Sequence, residues 1–429
     1  MRTKMEKLNL LKTNGMEIEE FIAKKESICF EKNFAESYNN KLSIDEGVAY
    51  RVVKGDKVGF ANTNNIDDKV RVQEKAKELA KDGIPLNVRF PEDVSCESIN
   101  EHMHFETSDV VKIQHCFEEL CNYFKKFNCK VKLDKISNFR SVMNTRNTMC
   151  KSHDAYFKLT FESMRNEFGN GLSVFKLKYF RTRNELYNFA QKMNWELDRI
   201  KKLKTYYEIE SKLPVIFAPQ ALAGLVLSIV ENFNAKEVMS GTSILERKKF
   251  EFDEKFELYD APKIKNSVFN VMFDDEGTRT YRKPLIKNSK CITYFSDLIT
   301  EAKYNYKSTG NGFRRNSYTT MPTPNFINID INNGDTKLDN YLNINNTTIL
   351  IKQIMGLDIN SLKGGFITGR VTESIIYKGS EAIGTLPPFS LKIELNKFFT
   401  DIGITEEVEN IWGFMNIPYL YKDIMKIHI

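Results

Sequence analysis

The sequence predicts an α+β protein of two domains, with a mixed N-terminal α/β domain followed by a mostly antiparallel β domain. The first observation is length, because a chain of 429 residues exceeds the size at which one hydrophobic core stops growing. The second is a change of pattern near Lys204, after which short apolar runs are separated by glycine and asparagine. We therefore expect domains at residues 1–205 and 206–429, the second with a series of strands that is compatible with a barrel.

The N-terminal domain is predicted to combine strands with helices. Loose alternation and β-prone composition predict strands over residues 16–30, 47–53, 57–61, 130–139 and 155–161. The turn Lys54-Gly55-Asp56 is typical of a tight hairpin, since glycine readily adopts positive φ angles. Apolar spacing predicts helices over residues 67–83, 108–127 and about 182–203. In the second helix, the buried side is predicted to consist of Val111, Ile113, Phe117, Leu120 and Phe124.

The C-terminal domain is predicted to contain one helix followed mainly by strands. The helix covers residues 219–233, with Pro219 in the first turn, where its missing N–H would have no helical partner anyway. Strands are predicted over residues 269–273, 291–298, 326–331, 365–377 and 389–395.

The charge balance gives no sign of a nucleic-acid partner. A net charge of +6 arises from 63 basic and 57 acidic residues, which are mixed along the chain. Such a balance permits an acidic partner without requiring one. The densest basic run, residues 199–204, falls at the end of a predicted helix, where cations complement the helix dipole and stay hydrated.

The remaining composition favours a cytoplasmic protein. The seven cysteines are irregularly spaced and include no CxxC pair, which is typical of free thiols in a reducing compartment. Residues 1–15 contain no apolar segment typical of a signal peptide. The longest apolar run, residues 221–230, is too short to span a bilayer.

Two short motifs in the C-terminal domain are the strongest candidates for function. The first is Asp274-Asp275-Glu276-Gly277, and the second, about thirty residues later, is Ser308-Thr309-Gly310-Asn311, followed by Arg314 and Arg315. An ionised carboxylate is costly to bury without a partner, so the first motif is predicted to form a solvated turn or to face a binding site. The candidate peptide- or partner-binding residues are Asp274, Asp275, Glu276, Gly277, Ser308, Thr309, Gly310, Asn311, Arg314 and Arg315.

Two interpretations of these motifs remain open. The carboxylates could bind a hard cation or the charged end of a peptide, or they could accept backbone hydrogen bonds in a structural turn. The glycines of the second motif lack the spacing of a phosphate-binding loop. Arg314 and Arg315 are candidates for recognition of a carboxylate, because guanidinium groups bind carboxylates through paired hydrogen bonds.

Both motifs, taken together with several other segments, resemble the TldD/PmbA family, whose paired subunits form a cytosolic zinc peptidase. Residues 214–219 resemble the entry to the central helix of that family, and residues 240–243 resemble the turn after it. Residues 322–325 resemble its proline–asparagine segment, and Arg51-Val52-Val53 resembles part of its N-terminal hairpin. The similarity covers most of the chain and is weakest near the C-terminus. An older label of the family mentions DNA gyrase, but the charge distribution does not favour binding to DNA.

The resemblance also implies which of the two subunits this chain is similar to. One subunit carries a His-Glu-x-x-x-His motif on the central helix and a cysteine near the C-terminus. These residues bind zinc, and the glutamate serves as the general base. Here Leu227 and Ser228 stand at about the positions of the first histidine and the glutamate. No histidine lies between His153 and His428, and no cysteine follows Cys291. The chain resembles the TldE/PmbA subunit. The resemblance therefore implies that this chain contains no catalytic residue and binds no metal or cofactor.

The resemblance implies a non-catalytic subunit of a zinc metallopeptidase complex. A TldD-type catalytic partner would carry the zinc, and the substrates would be unfolded or modified peptides, held as an added strand. The chain could also form homodimers. One alternative is a stand-alone peptide- or protein-binding module without a peptidase role. Another is a peptidase with a different metal site, for which His102, His104, His115, Cys116 and Cys121 are conceivable ligands. Cys116 and Cys121 do not share a helical face well, so packing or chance explains these residues better.

Overall fold

Two large β-sheets with helices packed against them form the protein, in agreement with the predicted α+β class. The computed structural model describes residues 15–33, 37–99, 110–163, 173–210, 212–247, 250–358 and 366–426. The first sheet contains eight strands and the second contains twelve, and a further pair of short strands lies apart from both.

The first sheet is built from the N-terminal part of the chain. Its order is β4-β3-β2-β1-β6-β7-β5, with β8 paired to β7. The strands are β1 (Met16–Asn33), β2 (Ser37–Lys54), β3 (Lys57–Thr63), β4 (Ile84–Pro85), β5 (Ser95–Ile99), β6 (Cys129–Asn144), β7 (Met149–Ser163) and β8 (Phe175–Phe180). The predicted hairpin is confirmed, because β2 and β3 pair antiparallel and Gly55 has a φ of 61° in the turn between them.

Three helices accompany this sheet: α1 (Lys69–Leu79), α2 (Val110–Phe124) and α3 (Arg183–Lys202). Helix α3 begins as predicted, because the Thr182 side chain accepts the N–H of Glu185 and the Glu185 side chain accepts the N–H of Thr182. In α2 one predicted core residue is wrong, since Val111 is 75% exposed. Successive side chains of an α-helix are rotated by about 100° around the helix axis. Val111 therefore points away from the side on which Ile113 and Phe117 are buried.

The second sheet is built from the C-terminal part of the chain. Its order is β13-β12-β11-β16-β22-β10-β17-β18-β19-β9, with β20 paired to β18 and β21 to β22. The strands are β9 (Lys204–Thr205), β10 (Lys212–Phe217), β11 (Leu258–Ala261), β12 (Lys283–Lys287), β13 (Lys290–Cys291), β14 (Gly312–Phe313), β15 (Thr323–Pro324), β16 (Asn328–Ile331), β17 (Thr348–Met355), β18 (Phe366–Lys378), β19 (Glu381–Thr385), β20 (Phe389–Glu394), β21 (Gly403–Ile411) and β22 (Met415–Lys426), of which β14 and β15 form the separate pair.

Most strands of the second sheet are antiparallel, as predicted. Parallel pairing occurs between β10 and β17, between β16 and β22, and between β9 and β19. Across the residues that the structure describes, β13 and β9 are the two ends of the strand order and do not pair with each other. The sheet therefore does not close into a barrel. The change from the first sheet to the second falls between β8 and β9, and a domain boundary at about residue 205 remains a prediction.

The central helix, α4 (Pro219–Val230), lies in the largest core of the protein. Ala221, Leu222, Leu225, Val226 and Ile229 are all buried, which explains the apolar run in the sequence. Within the described part of the chain, no helix combines the length and the apolar character needed to cross a membrane. The shorter helices are α5 (Ala235–Met239), α6 (Ile244–Arg247), α7 (Leu298–Tyr304), α8 (Leu338–Ile344) and α9 (Leu395–Phe398).

Two predicted strands are loops in the structure. Residues 269–273 form only an isolated bridge between Phe273 and Arg279. In the stretch predicted from 291 to 298, only Cys291 belongs to a strand, because Asp297 caps α7 and accepts the N–H of Thr300 at 2.7 Å. Apolar composition alone does not distinguish a strand from a buried loop whose backbone is bonded to side chains.

Candidate functional site

The two sequence motifs lie side by side and are joined by Asp274. One carboxylate oxygen of Asp274 accepts the backbone N–H groups of Glu276 at 3.0 Å and Thr278 at 2.9 Å. The other accepts the N–H of Gly312, 2.9 Å away in the second motif. Burial raises the pKa of Asp274 to about 7, while the three N–H groups act in the opposite direction. The first motif is therefore a tight, buried turn, with Gly277 at a φ of 80°.

Asp275 connects this turn to the first sheet. Its Oδ1 atom accepts a hydrogen bond from Nη1 of Arg140, on β6, at 2.8 Å. Its Oδ2 atom accepts the backbone N–H of Arg314, also at 2.8 Å. The first sheet thus holds this carboxylate through a guanidinium group, and the segment after β14 holds it through the backbone.

Glu276 belongs to a chain of alternating charges that is closed to solvent. Arg51, on β2, donates to Glu276 at 2.6 Å and to Glu19, on β1, at 2.5 Å. Glu19 accepts a second bond from Arg314 at 2.8 Å, and all four side chains have an exposed fraction of 0%. We call Glu19, Arg51, Glu276 and Arg314 the buried charge network.

The second carboxylate oxygen of Glu276 accepts the N–H of Leu298 at the start of α7, at 2.8 Å. Burial raises the pKa of Glu276, and the Arg51 guanidinium acts in the opposite direction. Burial lowers the pKa of the Arg314 guanidinium, which Glu19 opposes. Since each charge faces an opposite charge, the network can stay ionised inside the protein.

The second motif is held by a separate pair of buried charges. Asn311 donates to Asp260 at 2.8 Å, and Lys283 pairs with the same carboxylate oxygen at 3.0 Å. Thr309 donates to Asn311 at 2.7 Å and so orients the amide. Gly310 has a φ of 69°, and a Cβ atom there would lie 2.4 Å from the carbonyl oxygen of Arg279. These contacts account for the residue types threonine, glycine and asparagine in this order.

The structure therefore brings all ten candidate residues together, but most of them face the protein interior. Arg315 is exposed and Ser308 is half-buried. The buried residues are Asp274, Asp275, Glu276, Gly277, Thr309, Gly310, Asn311 and Arg314. The geometry favours the structural-turn interpretation for the three carboxylates. A direct contact between any of the ten residues and a peptide or partner remains a prediction.

The partners of these motifs were missed by sequence reasoning. Glu19, Arg51 and Arg140 come from strands of the first sheet, and Asp260 and Lys283 come from the second. A usable signal was present, because Arg51 interrupts an apolar strand and its side chain must therefore be paired. Sequence alone did not indicate with which carboxylate it pairs.

One stripe of the central helix remains partly open. Gln220, Gly224 and Leu227 are half-buried, and Glu231 at the end of the stripe is exposed. Burial raises the pKa of Glu231, and the nearby Arg315 guanidinium acts in the opposite direction. The second motif therefore reaches the end of the open stripe through Arg315.

The residues on this helix do not fit a zinc ion. Leu227 and Ser228 occupy the predicted positions of the first histidine and the glutamate, and the same spacing puts the second histidine at about Asn232. Ser228 donates to the carbonyl of Gly224 at 2.8 Å, and Asn232 donates to the carbonyl of Ser228 at 2.8 Å. Zinc sites in proteins are built from thiolate, imidazole and carboxylate donors, which this stretch lacks apart from Glu231.

A different metal site has no support in the described residues, where no three His, Cys, Asp or Glu side chains are placed to hold an ion. His115 is near the surface on α2, whereas Cys116 and Cys121 are buried in the core of the first sheet. Burial raises the pKa of Cys121 to about 11 and so favours the neutral thiol. His102, His104 and His428 lie outside the described residues.

The fold and the site define an α+β protein of two large sheets whose central helix lacks the ligands for zinc. Residues 210–428 match the C-terminal domain of PmbA/TldA metallopeptidases, and residues 39–84 match domain 1 of the same proteins. The chain belongs to the PmbA/TldD family.

Known relatives agree over most of the chain. An uncharacterized protein of Methanocaldococcus jannaschii is 23% identical over 84% of this chain and 88% of its own. A metalloprotease TldD homolog of Buchnera aphidicola (subspecies Schizaphis graminum) is 21% identical over 78% of this chain and 74% of its own. The crystal structure of TldE from Thermococcus kodakarensis superposes with a TM-score of 0.78 and 20% identity, over 99% of both chains. This last similarity shows that the two proteins share a fold.

Proposed function

We propose that this protein is a non-catalytic, TldE/PmbA-like subunit of a zinc metallopeptidase complex. The observation that carries the proposal is the central helix, where Leu227, Ser228 and Asn232 replace the residues of a His-Glu-x-x-x-His motif. The shared fold with a TldE supports the same assignment. A TldD-type catalytic partner would supply the zinc, the glutamate and the cysteine.

In this proposal the chain forms one wall of a cleft that receives an unfolded or modified peptide in the cytoplasm. The buried charge network and Asp274 hold the two motif loops in one arrangement, so that accessible side chains are presented in fixed positions. Arg315 is an exposed cation at the end of the second motif loop and lies beside the open stripe of the central helix. We assign to it a contact with the peptide or with the partner subunit, as a guanidinium suits carboxylates and backbone carbonyls.

Co-expression tests the assignment as a subunit. The chain would be produced with a paralogue from the same genome that carries the histidine motif, and native mass and zinc content would be measured together. We expect a complex of the two chains with about one zinc per pair and no zinc in this chain alone. Zinc in the lone chain would contradict the proposal. A metal-free chain that forms no complex with the paralogue would favour the stand-alone binding module.

Substitution of Arg315 tests the role of the motif loops. We expect Arg315→Ala to weaken peptide turnover by the complex about tenfold, because one charge-assisted hydrogen bond is lost. Lys303→Ala is the matched control, since Lys303 is an exposed cation on the neighbouring helix α7. Turnover and complex formation would be measured for both variants. Equal effects of the two substitutions would remove the assignment of Arg315.

A further inference from the structure

A groove separates helix α3 from the second sheet, away from the two motif loops. Leu186, Ala190 and Met193 of the helix are buried in the core of the first sheet. A neighbouring side of the same helix lines two adjoining hollows of about 310 Å³ and about 160 Å³. Glu196, Lys352 and Tyr419 line both hollows, so the two hollows adjoin, and we refer to them together as the groove.

The larger hollow is rich in lysine. Lys176, Lys178, Lys192 and Lys352 line it, together with the carboxylates of Glu196 and Glu409. Glu373, which lies beneath them, pairs with Lys176 at 3.1 Å and with Lys352 at 2.9 Å. The Oε1 atom of Glu409 accepts the hydroxyl of Tyr419 at 2.6 Å. Two of the lysines are thus neutralised by one buried carboxylate.

Lys178 and Lys192 differ from this pair. Neither forms an ion pair within the described part of the chain, and Lys178 donates only to the backbone carbonyl of Asn410. Burial lowers the pKa of the half-buried Lys178. The Glu409 carboxylate acts in the opposite direction, and the positive charge of Lys192 acts in the same direction as burial. A half-buried ammonium group that forms no close ion pair among the described residues, beside a second cation, provides a place for an anionic group.

The first turn of the central helix opens into the same hollow. Ala218 and Gln220 line it, and Ala218 at the helix N-cap has no side chain that could accept a backbone N–H. An uncapped helix start carries partial positive charge. It therefore adds to the attraction that the lysines exert on an anion.

The smaller hollow is mainly apolar and lies farther along α3. Trp195 is 58% exposed at its edge, with the Arg199 guanidinium 4.9 Å from the ring centroid. Leu350, Ile375 and Tyr377 line it from the second sheet. An exposed tryptophan beside a hollow of this kind can cover an apolar side chain of a ligand.

We propose that this groove binds an extended acidic peptide, with a carboxylate at Lys178 and Lys192 and an apolar side chain against Trp195. The inference deepens the proposed peptide-handling function by specifying a class of peptide. The groove extends along α3 from Phe189 to Leu203, a rise of about 21 Å, which matches roughly six extended residues. The carboxylate is either the C-terminus of the peptide or an aspartate or glutamate side chain.

Calorimetry with the full chain alone tests the binding. The probes are three hexapeptides of one neutral, apolar sequence: the first with a free C-terminal carboxylate, the second amidated, and the third amidated with glutamate as its last residue. We expect the amidated neutral peptide to bind about tenfold more weakly than at least one acidic peptide. The acidic peptide that binds more tightly identifies the source of the carboxylate. Equal binding of all three peptides, or no binding, would overturn the proposal.

Substitutions then locate the site. Lys178→Gln and Lys192→Gln are each expected to raise the Kd of the acidic peptide about tenfold, and Trp195→Ala is expected to weaken all three peptides. Lys202→Gln is the matched control, because Lys202 is an exposed lysine of the same helix outside the groove. Lys192 is exposed, so its substitution does not endanger folding. Unchanged affinity in both groove variants would overturn the proposal. Because no second subunit is present, this result is independent of whether the chain joins a zinc-containing partner.

Discussion

At the scale of single residues, buried charges hold the first sheet against the motif loops of the C-terminal part. Arg51 lies between Glu19 and Glu276, and none of the three side chains is exposed. A buried ion pair contributes little net stability compared with a well-packed apolar pair, because desolvation offsets the attraction. Losing one member is costly, since its partner then remains buried without a counter-charge.

Arg51→Ala should therefore lower the free energy of unfolding by about 3–5 kcal/mol. Arg71→Ala is the control, because Arg71 forms a surface ion pair with Asp68 at 2.9 Å and its side chain is 79% exposed. That change should cost less than about 1 kcal/mol. Urea unfolding at neutral pH measures both values. Similar losses in the two variants would show that the buried charge network does not stabilise the fold.

Glu373 should make stability depend on acid pH. Burial raises its pKa, but the Lys176 and Lys352 ammonium groups outweigh this effect and lower the pKa to about 2 from an ordinary value of 4.5. Because the pKa is lower in the folded protein, Glu373 contributes stability above about pH 4.5. This contribution, roughly 3 kcal/mol, is lost as the pH falls toward 2.

The matched variants are Glu373→Gln and Glu381→Gln, the second being an exposed glutamate on β19. Urea unfolding between pH 5 and about pH 2.5 should show a flatter decline of stability for Glu373→Gln than for Glu381→Gln. A decline of the same steepness in both variants would rule out Glu373 as its source.

The sequence predicted the local structure of the motif residues better than it predicted the residues that contact them. The sequence indicated that Asp274, Asp275 and Glu276 form a turn or face a binding site, and the structure places them in a buried turn. It did not indicate Arg51 or Glu19, because Arg51 and Glu276 are separated by 225 positions along the chain. Contacts of this kind depend on how the sheets pack, which no local pattern specifies.

At the scale of elements, the second motif shows why glycine is needed at a particular position. Gly310 and Gly55 both have positive φ angles, of 69° and 61°. A Cβ atom at Gly310 would lie 2.4 Å from the Arg279 carbonyl oxygen, whereas one at Gly55 would meet no atom within 4 Å. The two positions thus share the same backbone strain and differ in steric crowding.

Gly310→Ala should consequently destabilise the protein more than Gly55→Ala. We expect about 1 kcal/mol from the backbone in both variants, and about 1–3 kcal/mol more at Gly310 from crowding. Thermal and urea unfolding measure the difference. If the two variants are equally stable, the loop must relax away from Arg279 without cost.

At the scale of the whole molecule, the contacts between the two sheets predict that both parts unfold together. Ile375 of the second sheet lies in the core of the first, and the buried charge network joins strands of the first sheet to the motif loops of the C-terminal part. The chain has two tryptophans, Trp195 on α3 and Trp412 beside the second sheet. Each reports on a different part of the molecule.

Single-tryptophan variants, Trp195→Phe and Trp412→Phe, should give urea transitions with the same midpoint when followed by fluorescence. In the Arg51→Ala background we expect the two midpoints to separate, because the junction is weakened while each core is unchanged. Far-UV circular dichroism provides the control for total structure. Separate midpoints in the parent chain would mean that the two parts unfold independently.

The sequence by itself determined the α+β class, the approximate start of α3, the hairpin at Gly55 and the absence of histidine from the central helix. These features depend on neighbouring residues or on residue types, so they can be recognised locally. Only the tertiary structure decided that the motif carboxylates are buried, that the second sheet stays open over the described residues and that α3 lines a lysine-rich groove. The reason is physical: the cost of burying a charge and the shape of a groove are set by elements distant in the chain.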